Sequence, residues 1–288
     1  MHFMEFHIIP TGRVWVDPGG AFGLVPRALW IKHKQPDENQ LLPSDLNSLL
    51  VFSEGKTILV DTGIGHKLDE KRSLIWGLEW PEGTLLENLA KHGVQPEQVD
   101  VVIGTHLHSD HCGGNTMLKD GKVTPTFPNA TYMVQWVEWA EAIAPNVRTR
   151  ATYLPENFQP VWQADQYQFM HGDTRITKHV RTVVTRGHTR AHQSVIVEGG
   201  ETPLFFPSDL AGYAVQFEKA AWVPAYDVEP LINIATKQRW QAWAAENNAL
   251  IIFQHDSLIR SARLKDGDGG KYRLEVLSAG SMKPKVGK

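Results

Sequence analysis

Four residues able to ligate a metal fall within six positions, His106, His108, Asp110 and His111, inside the run Thr105-His106-Leu107-His108-Ser109-Asp110-His111-Cys112-Gly113-Gly114-Asn115. The run directly follows an apolar strand, Asp100 to Gly104. Histidines two apart turn their imidazoles to the same side of an extended segment, while Asp110 and His111 project from the turn that follows. A lone histidine is an ordinary core residue. Four ligand-type residues crowded into a glycine-rich loop at a strand end read as a metal loop, and their two directions suit two ions. Further ligands must then come from elsewhere in the chain. His188 lies in Arg186-Gly187-His188-Thr189-Arg190-Ala191-His192, Asp209 follows the strand Leu204 to Phe206, and His255 follows the strand Leu250 to Phe253. Each sits at the carboxyl end of a strand, where α/β sheets place their ligands. Asp209 can bridge two ions, because a carboxylate offers two oxygens and an imidazole one usable nitrogen at a time.

Composition decides the class around that loop. With 42% hydrophobic residues, 21% charged residues and 10 Trp in 288 positions, the chain has enough apolar side chain for a sizeable core. A net charge of −3 leaves no cationic excess to neutralise a phosphate backbone, so no nucleic-acid partner is expected. The single cysteine, Cys112, excludes an intrachain disulfide and reads as a small buried residue. Residues 1–17 lack the basic-then-apolar pattern of a signal peptide. No run approaches the ~20 apolar residues of a membrane span. The expectation is a soluble, cytoplasmic protein with no membrane association.

Strand patterns cover Glu5 to Ile9, Arg13 to Asp17, Asn47 to Phe52, Thr57 to Asp61, Thr131 to Val134, Ser194 to Val197 and Pro203 to Phe206. Ser53-Glu54-Gly55-Lys56 reads as a hairpin turn. Helical periodicity covers a segment capped by Thr84 and ended by Gly93, then Gln135 to Ile143 and Ile234 to Glu246. The alternation predicts a mixed α/β fold. No linker or repeat divides it, so residues 1–288 are expected to form one domain. Lys265 to Gly270 reads as a turn near the C-terminus, and Lys283 to Lys288 as a frayed tail.

The HxHxDH loop, followed by GHTxxH, an SD at a strand end and a late histidine, resembles the metallo-β-lactamase superfamily over nearly the whole chain. The resemblance implies an αββα sandwich of two mixed sheets with helices outside and metals at one edge. It assigns His106, His108 and His188 to a first metal, Asp110, His111 and His255 to a second, and Asp209 to the bridge. The best-known subclass of true β-lactamases has Cys where Asp209 stands, which speaks against penicillin-type substrates. The segments Gly19 to Pro26, Val137-Glu138-Trp139, Pro145 to Arg148 and Trp222 to Asp227 are similar to the YtnP-type quorum-quenching lactonases, relatives of the N-acyl homoserine lactone lactonases. That similarity implies opening of the ester ring of a signal lactone, two divalent ions (zinc first, with Mn, Fe or Co open), and a homodimer. The alternative on the same site is a phosphotriesterase or arylesterase of the methyl-parathion hydrolase type. A non-catalytic metal-binding member or a redox member is the reading of a different class. It is disfavoured because all seven ligand positions are filled and no room remains for a flavodoxin-like domain.

Two close cations supply hydroxide near neutral pH and polarise a carbonyl. Asp110 and Asp209 are expected to orient the attacking oxygen and return a proton to the leaving alkoxide. Asp61 is expected to orient a ligand histidine rather than to ligate, and His192 to support the loop carrying His188. Tyr213 is the candidate donor to the ester carbonyl, in competition with Tyr226. Phe22, Leu24, Trp30, Trp76 and Trp80, in irregular segments, are the candidate lining of the substrate pocket.

Overall fold

The structure, a computed structural model, describes residues 5–267 and 271–280. Its strands are β1 (Glu5–Val16), β2 (Leu42–Ser53), β3 (Lys56–Val60), β4 (Val101–Ile103), β5 (Thr116–Lys119), β6 (Lys122–Pro125), β7 (Thr131–Gln135), β8 (Tyr167–Met170), β9 (Thr174–Arg175), β10 (Val180–Val184), β11 (Gln193–Val197), β12 (Leu204–Phe206), β13 (Leu250–Ile252), β14 (Ile259–Asp266) and β15 (Tyr272–Ala279). The helices are α1 (Pro18–Phe22), α2 (Arg27–Trp30), α3 (Glu70–Trp76), α4 (Leu85–Lys91), α5 (Ser109–Cys112), α6 (Trp136–Ile143), α7 (Gln159–Gln163), α8 (Ala214–Glu218) and α9 (Pro230–Glu246).

Period-two alternation sorts these strands into layers. In β2, β3 and β4, Leu49, Val51, Ile58, Val60, Val101 and Ile103 face one way and pack against Val195, Val197, Leu204 and Phe206 of the other sheet. Their neighbours Leu50, Leu59 and Val102 face the opposite way, onto Leu85 and Leu89 of α4 and Val161 of α7. The far face of the second sheet carries Ile196, Phe205 and Ile251, covered by Phe217 of α8 and Trp240 and Ala244 of α9. Strands buried on both faces read as continuous apolar runs, which is what Leu49 to Phe52 and Ile58 to Val60 are. The first sheet has the order β1-β2-β3-β4-β7-β8 and the second β15-β14-β13-β12-β11-β10-β9. Both are mixed: β3, β4, β7 and β8 run parallel, and β12 pairs β13 in parallel among antiparallel neighbours. This is the expected αββα sandwich.

Local signals account for most boundaries. Thr84 and Glu87 close a reciprocal capping box at the start of α4. Glu54 and Gly55 both adopt positive φ in the β2–β3 hairpin, the conformation that a tight two-residue turn demands. Two expectations are corrected. The two strands expected on either side of Pro10 are one strand, β1, whose register against β2 shifts between Pro10 and Gly12. An irregularity on an edge strand is where proline is tolerated. The last helix begins at Pro230, four residues before the apolar periodicity becomes visible, because proline fits the first helical position. The short strands β5, β6, β9 and β10 carry too little alternation to be legible. The C-terminal turn is flanked by β14 and β15, paired up to Asp266 and Tyr272. Most of its tip and the tail Lys283 to Lys288 lie outside the described residues. Among the described residues, no helix is long and apolar enough to cross a membrane.

Candidate active site

Strand ends deliver the chemistry-bearing side chains to one edge of the sandwich. The loop after β4 carries His106 and His108, the latter in extended backbone, and then turns into α5, which carries Asp110 and His111. His188 comes from the turn between β10 and β11, Asp209 from a single 3-10 turn after β12, and His255 from the segment after β13. Gly113 and Gly114 let the first loop lie against residues 62–64. A Cβ at Gly113 would stand 2.1 Å from the Ile64 carbonyl oxygen, and one at Gly114 would stand 2.3 Å from that of Thr62.

Two triads result. The ligand atoms of His106, His108 and His188 lie within 4.8 Å of one another, and so do those of Asp110, His111 and His255. Asp209 stands between the triads. Its Oδ1 is 2.9 Å from His255 Nε2, while its Oδ2 is 3.2 Å from His188 Nε2 and 3.5 Å from His111 Nε2. Asp110 Oδ2 faces His111 and His255 at 3.6 and 3.8 Å.

The outer partners of these rings fix which nitrogen points inward. His255 Nδ1–H donates to the Asp45 carbonyl at 3.0 Å, His111 Nδ1–H to Asp61 Oδ2 at 3.0 Å and His188 Nδ1–H to Asp227 Oδ1 at 2.9 Å. Thr105 donates its hydroxyl to Asp61 and so accepts from His106 Nδ1–H at 3.1 Å. On neutral rings of His106, His111, His188 and His255, the Nε2 atom turned inward is therefore the acceptor nitrogen, free to ligate. His111 Nε2 and His255 Nε2 face each other at 3.3 Å, and His188 Nε2 faces His108 Nδ1 at 3.1 Å. His106 Nε2 is buried with no hydrogen-bond partner at all. Imidazole nitrogens this close are held by a shared proton or by a cation among them. Two imidazoles on one tetrahedral zinc hold their nitrogens about 3.3–3.4 Å apart, given bonds of about 2.0–2.1 Å. The donor set and its spacing fit such ions.

Charge follows the same pattern. Burial and then the neighbouring imidazoles hold His106 and His108 well below the usual histidine range, so both stay neutral. Burial also pulls on His111, yet Asp209 and Asp110 lift it well above that range. Burial would raise Asp209, but His255, His111 and His188 hold its carboxyl well below the ordinary value. The pocket around Asp209 is thus built for positive charge.

The other site expectations fall out unevenly. Asp61, buried and at positive φ, meets His111 as described and also accepts the Thr105 N–H at 2.8 Å. His192 reaches beyond its own loop: its Nε2 accepts the Asp209 N–H at 3.1 Å. Cys112 is buried, and its thiol donates to the Leu107 carbonyl at 3.2 Å. Two functional acids escaped the sequence reading as individuals, although both stand in the lactonase-like segments. Asp227 holds His188. Glu138 accepts from Leu107 N–H, the Tyr153 hydroxyl and the Thr189 hydroxyl. An acid enclosed by apolar residues, as Glu138 is by Val137 and Trp139, was the available signal.

A cavity of about 370 Å³ opens over the triads. Its lining includes Asp110, His108, His188, Asp209 and His255 of the triads and the bridge candidate, together with Val14, Val16, Trp76, Arg148, Thr152 and Tyr226. Tyr213 also reaches it, with its ring under the Lys34 ammonium at 4.6 Å. Of the five expected lining residues, only Trp76 lines it. Phe22 and Trp30 are buried and stacked on each other at 5.3 Å, Leu24 is wholly exposed to solvent, and Trp80 stacks on His66 at 4.7 Å. Irregular backbone at positions 18–30 misled the reading, because two short helices fold those aromatics inward against Tyr213 and Val215.

Residues 43–260 match the model of the Metallo-beta-lactamase superfamily. The chain belongs to the metallo-beta-lactamase superfamily. It is a hydrolase of that superfamily. An N-acyl homoserine lactonase of Bacillus cereus is 25% identical over 272 residues, covering 89% of this chain and 94% of the relative. The N-acyl homoserine lactonase AttM of Rhizobium radiobacter is 27% identical over 224 residues, covering 72% and 80%. Among solved structures, a probable metal-dependent hydrolase from Staphylococcus aureus superimposes with a TM-score of 0.86 at 24% identity, over 96% of this chain and 97% of that one. AidC, a dizinc quorum-quenching lactonase in complex with a product N-hexanoyl-L-homoserine, superimposes at 0.76 and 21% identity, over 96% and 95%. These two superpositions carry the sandwich fold.

Proposed function

We propose that this metallo-beta-lactamase hydrolase is a dinuclear lactonase that opens the ester ring of N-acyl homoserine lactones or similar signal lactones, acting as one domain. The observation that carries the reading is the placement of Asp209, one oxygen on His255 of one triad and the other on His188 of the other. In this assignment His106, His108 and His188 would hold one divalent ion, Asp110, His111 and His255 would hold a second, and Asp209 would serve both, with zinc the favoured metal. The names of the curated relatives support the lactone substrate.

Bound there, two cations supply Lewis-acid polarisation and a water deprotonated near neutral pH. The chain's own residues do the rest. Asp110, which lines the cavity, holds the nucleophile's proton and passes it to the alkoxide that leaves the acyl carbon. Tyr213, which lines the cavity, would donate its hydroxyl to the carbonyl oxygen, which gains charge in the transition state. Val14, Val16 and Trp76 exclude water and pack the acyl chain.

The test is a panel of acyl homoserine lactones, γ-lactones, an organophosphotriester and an aryl ester, run on a preparation whose metal content is measured. Expected are two ions per chain and a kcat/KM for the acyl lactone at least ~100-fold above that for the phosphotriester, because a phosphoryl transition state differs in shape and charge. A preference for the phosphotriester overturns the lactone substrate and leaves the ligand assignment standing.

A further inference from the structure

Glu138 is fully buried on α6, yet its carboxylate meets only uncharged donors. One oxygen accepts the Leu107 N–H at 2.9 Å and the Tyr153 hydroxyl at 2.9 Å; the other accepts the Thr189 hydroxyl at 2.6 Å. A carboxylate taken out of water without a cation beside it is costly. The three donors show what it does there. Leu107 lies between His106 and His108, and Thr189 follows His188. Tyr153 packs against the His108 ring at 5.0 Å between centroids, the two planes tilted by 58°. One side chain therefore grips the two separate loops that bring His106, His108 and His188 together, and places a negative charge behind them.

The other triad is anchored by different groups. His111 is held by Asp61 and His255 by the Asp45 carbonyl, and Glu138 touches neither. We propose that Glu138 is a positioning residue that sets the affinity of the His106, His108 and His188 triad for its metal ion while leaving the Asp110, His111 and His255 triad unaffected. This rests on the two-ion reading above.

The experiment is a titration of metal-free protein with Co2+, followed by its visible absorption, on wild type, Glu138→Gln and Thr189→Val. His188→Ala and His255→Ala mark the spectra of protein lacking the first and the second site. Glutamine keeps the size and one acceptor oxygen, but loses the charge and sets an NH2 group where an acceptor stood. Glu138→Gln is expected to weaken the site that His188→Ala removes by at least ~10-fold and to leave the other within ~3-fold, as loss of an outer partner does. Thr189→Val is expected to act in the same direction with a smaller effect. Equal weakening of both sites, or of neither, overturns the proposal. If Glu138→Gln fails to fold by circular dichroism, Thr189→Val and Tyr153→Phe decide by the same criterion. A wild type that binds fewer than two ions overturns the reading beneath the proposal; two ions in wild type with an unmoved Glu138→Gln overturns the role of Glu138 alone.

Discussion

His192 Nε2 accepts the backbone N–H of Asp209 at 3.1 Å. Its Nδ1 carries the hydrogen and faces Thr185 Oγ1 at 2.8 Å, and burial followed by the His188 charge pulls its pKa to about 3, so the ring stays neutral with both nitrogens committed. No lone pair is left for a metal. His192→Ala is expected to keep both ions and to lose about 10–100-fold in kcat, as outer-partner substitutions do. His188→Ala is expected to lose one ion and more activity. Elemental analysis beside kinetics checks the order, and an ion lost from the His192 variant reverses the assignment of the pair.

Asp209 is the only residue of the seven whose side chain addresses both triads through two different oxygens. Asp209→Asn removes the negative charge that lies between two like charges, so both sites are expected to weaken by ~10-fold or more. Competition with a chromophoric chelator measures this. Unchanged affinity at either site means that Asp209 does not bridge.

The two tyrosines are expected to separate in kinetics. Tyr213 is buried against the cavity, whereas Tyr226 is half-exposed at its mouth, with burial and then Asp110 raising its pKa to about 12. Tyr213→Phe is expected to lower kcat for a lactone by ~10-fold or more with KM little changed, the pattern of a donor used in the transition state. Tyr226→Phe is expected to act on KM. The opposite pattern in steady-state rates exchanges their roles.

Phe22 supplies stability, not specificity. Its ring stacks on Trp30 and meets Trp222 edge-on at 5.9 Å. Phe22→Ala is expected to cost about 3–5 kcal/mol in denaturant unfolding. Leu24→Ser, at an exposed position, is expected to change neither stability nor substrate preference. A shift in acyl-chain preference in the Leu24 variant would restore it to the pocket.

Lys237 is buried on α9 and donates to the Trp222 and Gln216 carbonyls at 2.6 and 3.3 Å. Burial lowers its pKa from 10.5 to about 7, with Asp227 opposing. Between those two values the unfolded chain binds the proton and the folded chain does not, so this group's contribution to stability rises with pH. The unfolding free energy of wild type minus that of Lys237→Met is expected to grow by about 1.4 kcal/mol per unit from pH ~7 to ~9. A flat difference means that the lysine stays charged in the fold.

The fold was legible because strands buried on both faces, such as Leu49 to Phe52, announce a layered α/β protein, and because the cap at Thr84 and the turn at Glu54-Gly55 are local signals. The ligand-type residues were legible for a related reason: His106, His108, Asp110 and His111 are crowded in sequence, and the remaining three stand at strand ends. What surrounds them was not. Asp227 reaches His188 across 39 positions and Glu138 reaches Thr189 across 51. Those partners depend on how elements dock, which no local pattern records. The cavity wall failed for the same reason, since Phe22 and Leu24 are two positions apart, one wholly inside and one wholly outside.

Every strand of the first sheet ends by Met170, and every strand of the second begins after it. A backbone cut at the exposed stretch between β8 and β9 would leave His106, His108, Asp110 and His111 on one fragment and His188, Asp209 and His255 on the other. Neither fragment alone would hold a bridged pair of ions. Metal uptake would then report fragment complementation directly, and added zinc would act as the glue that draws the halves back together.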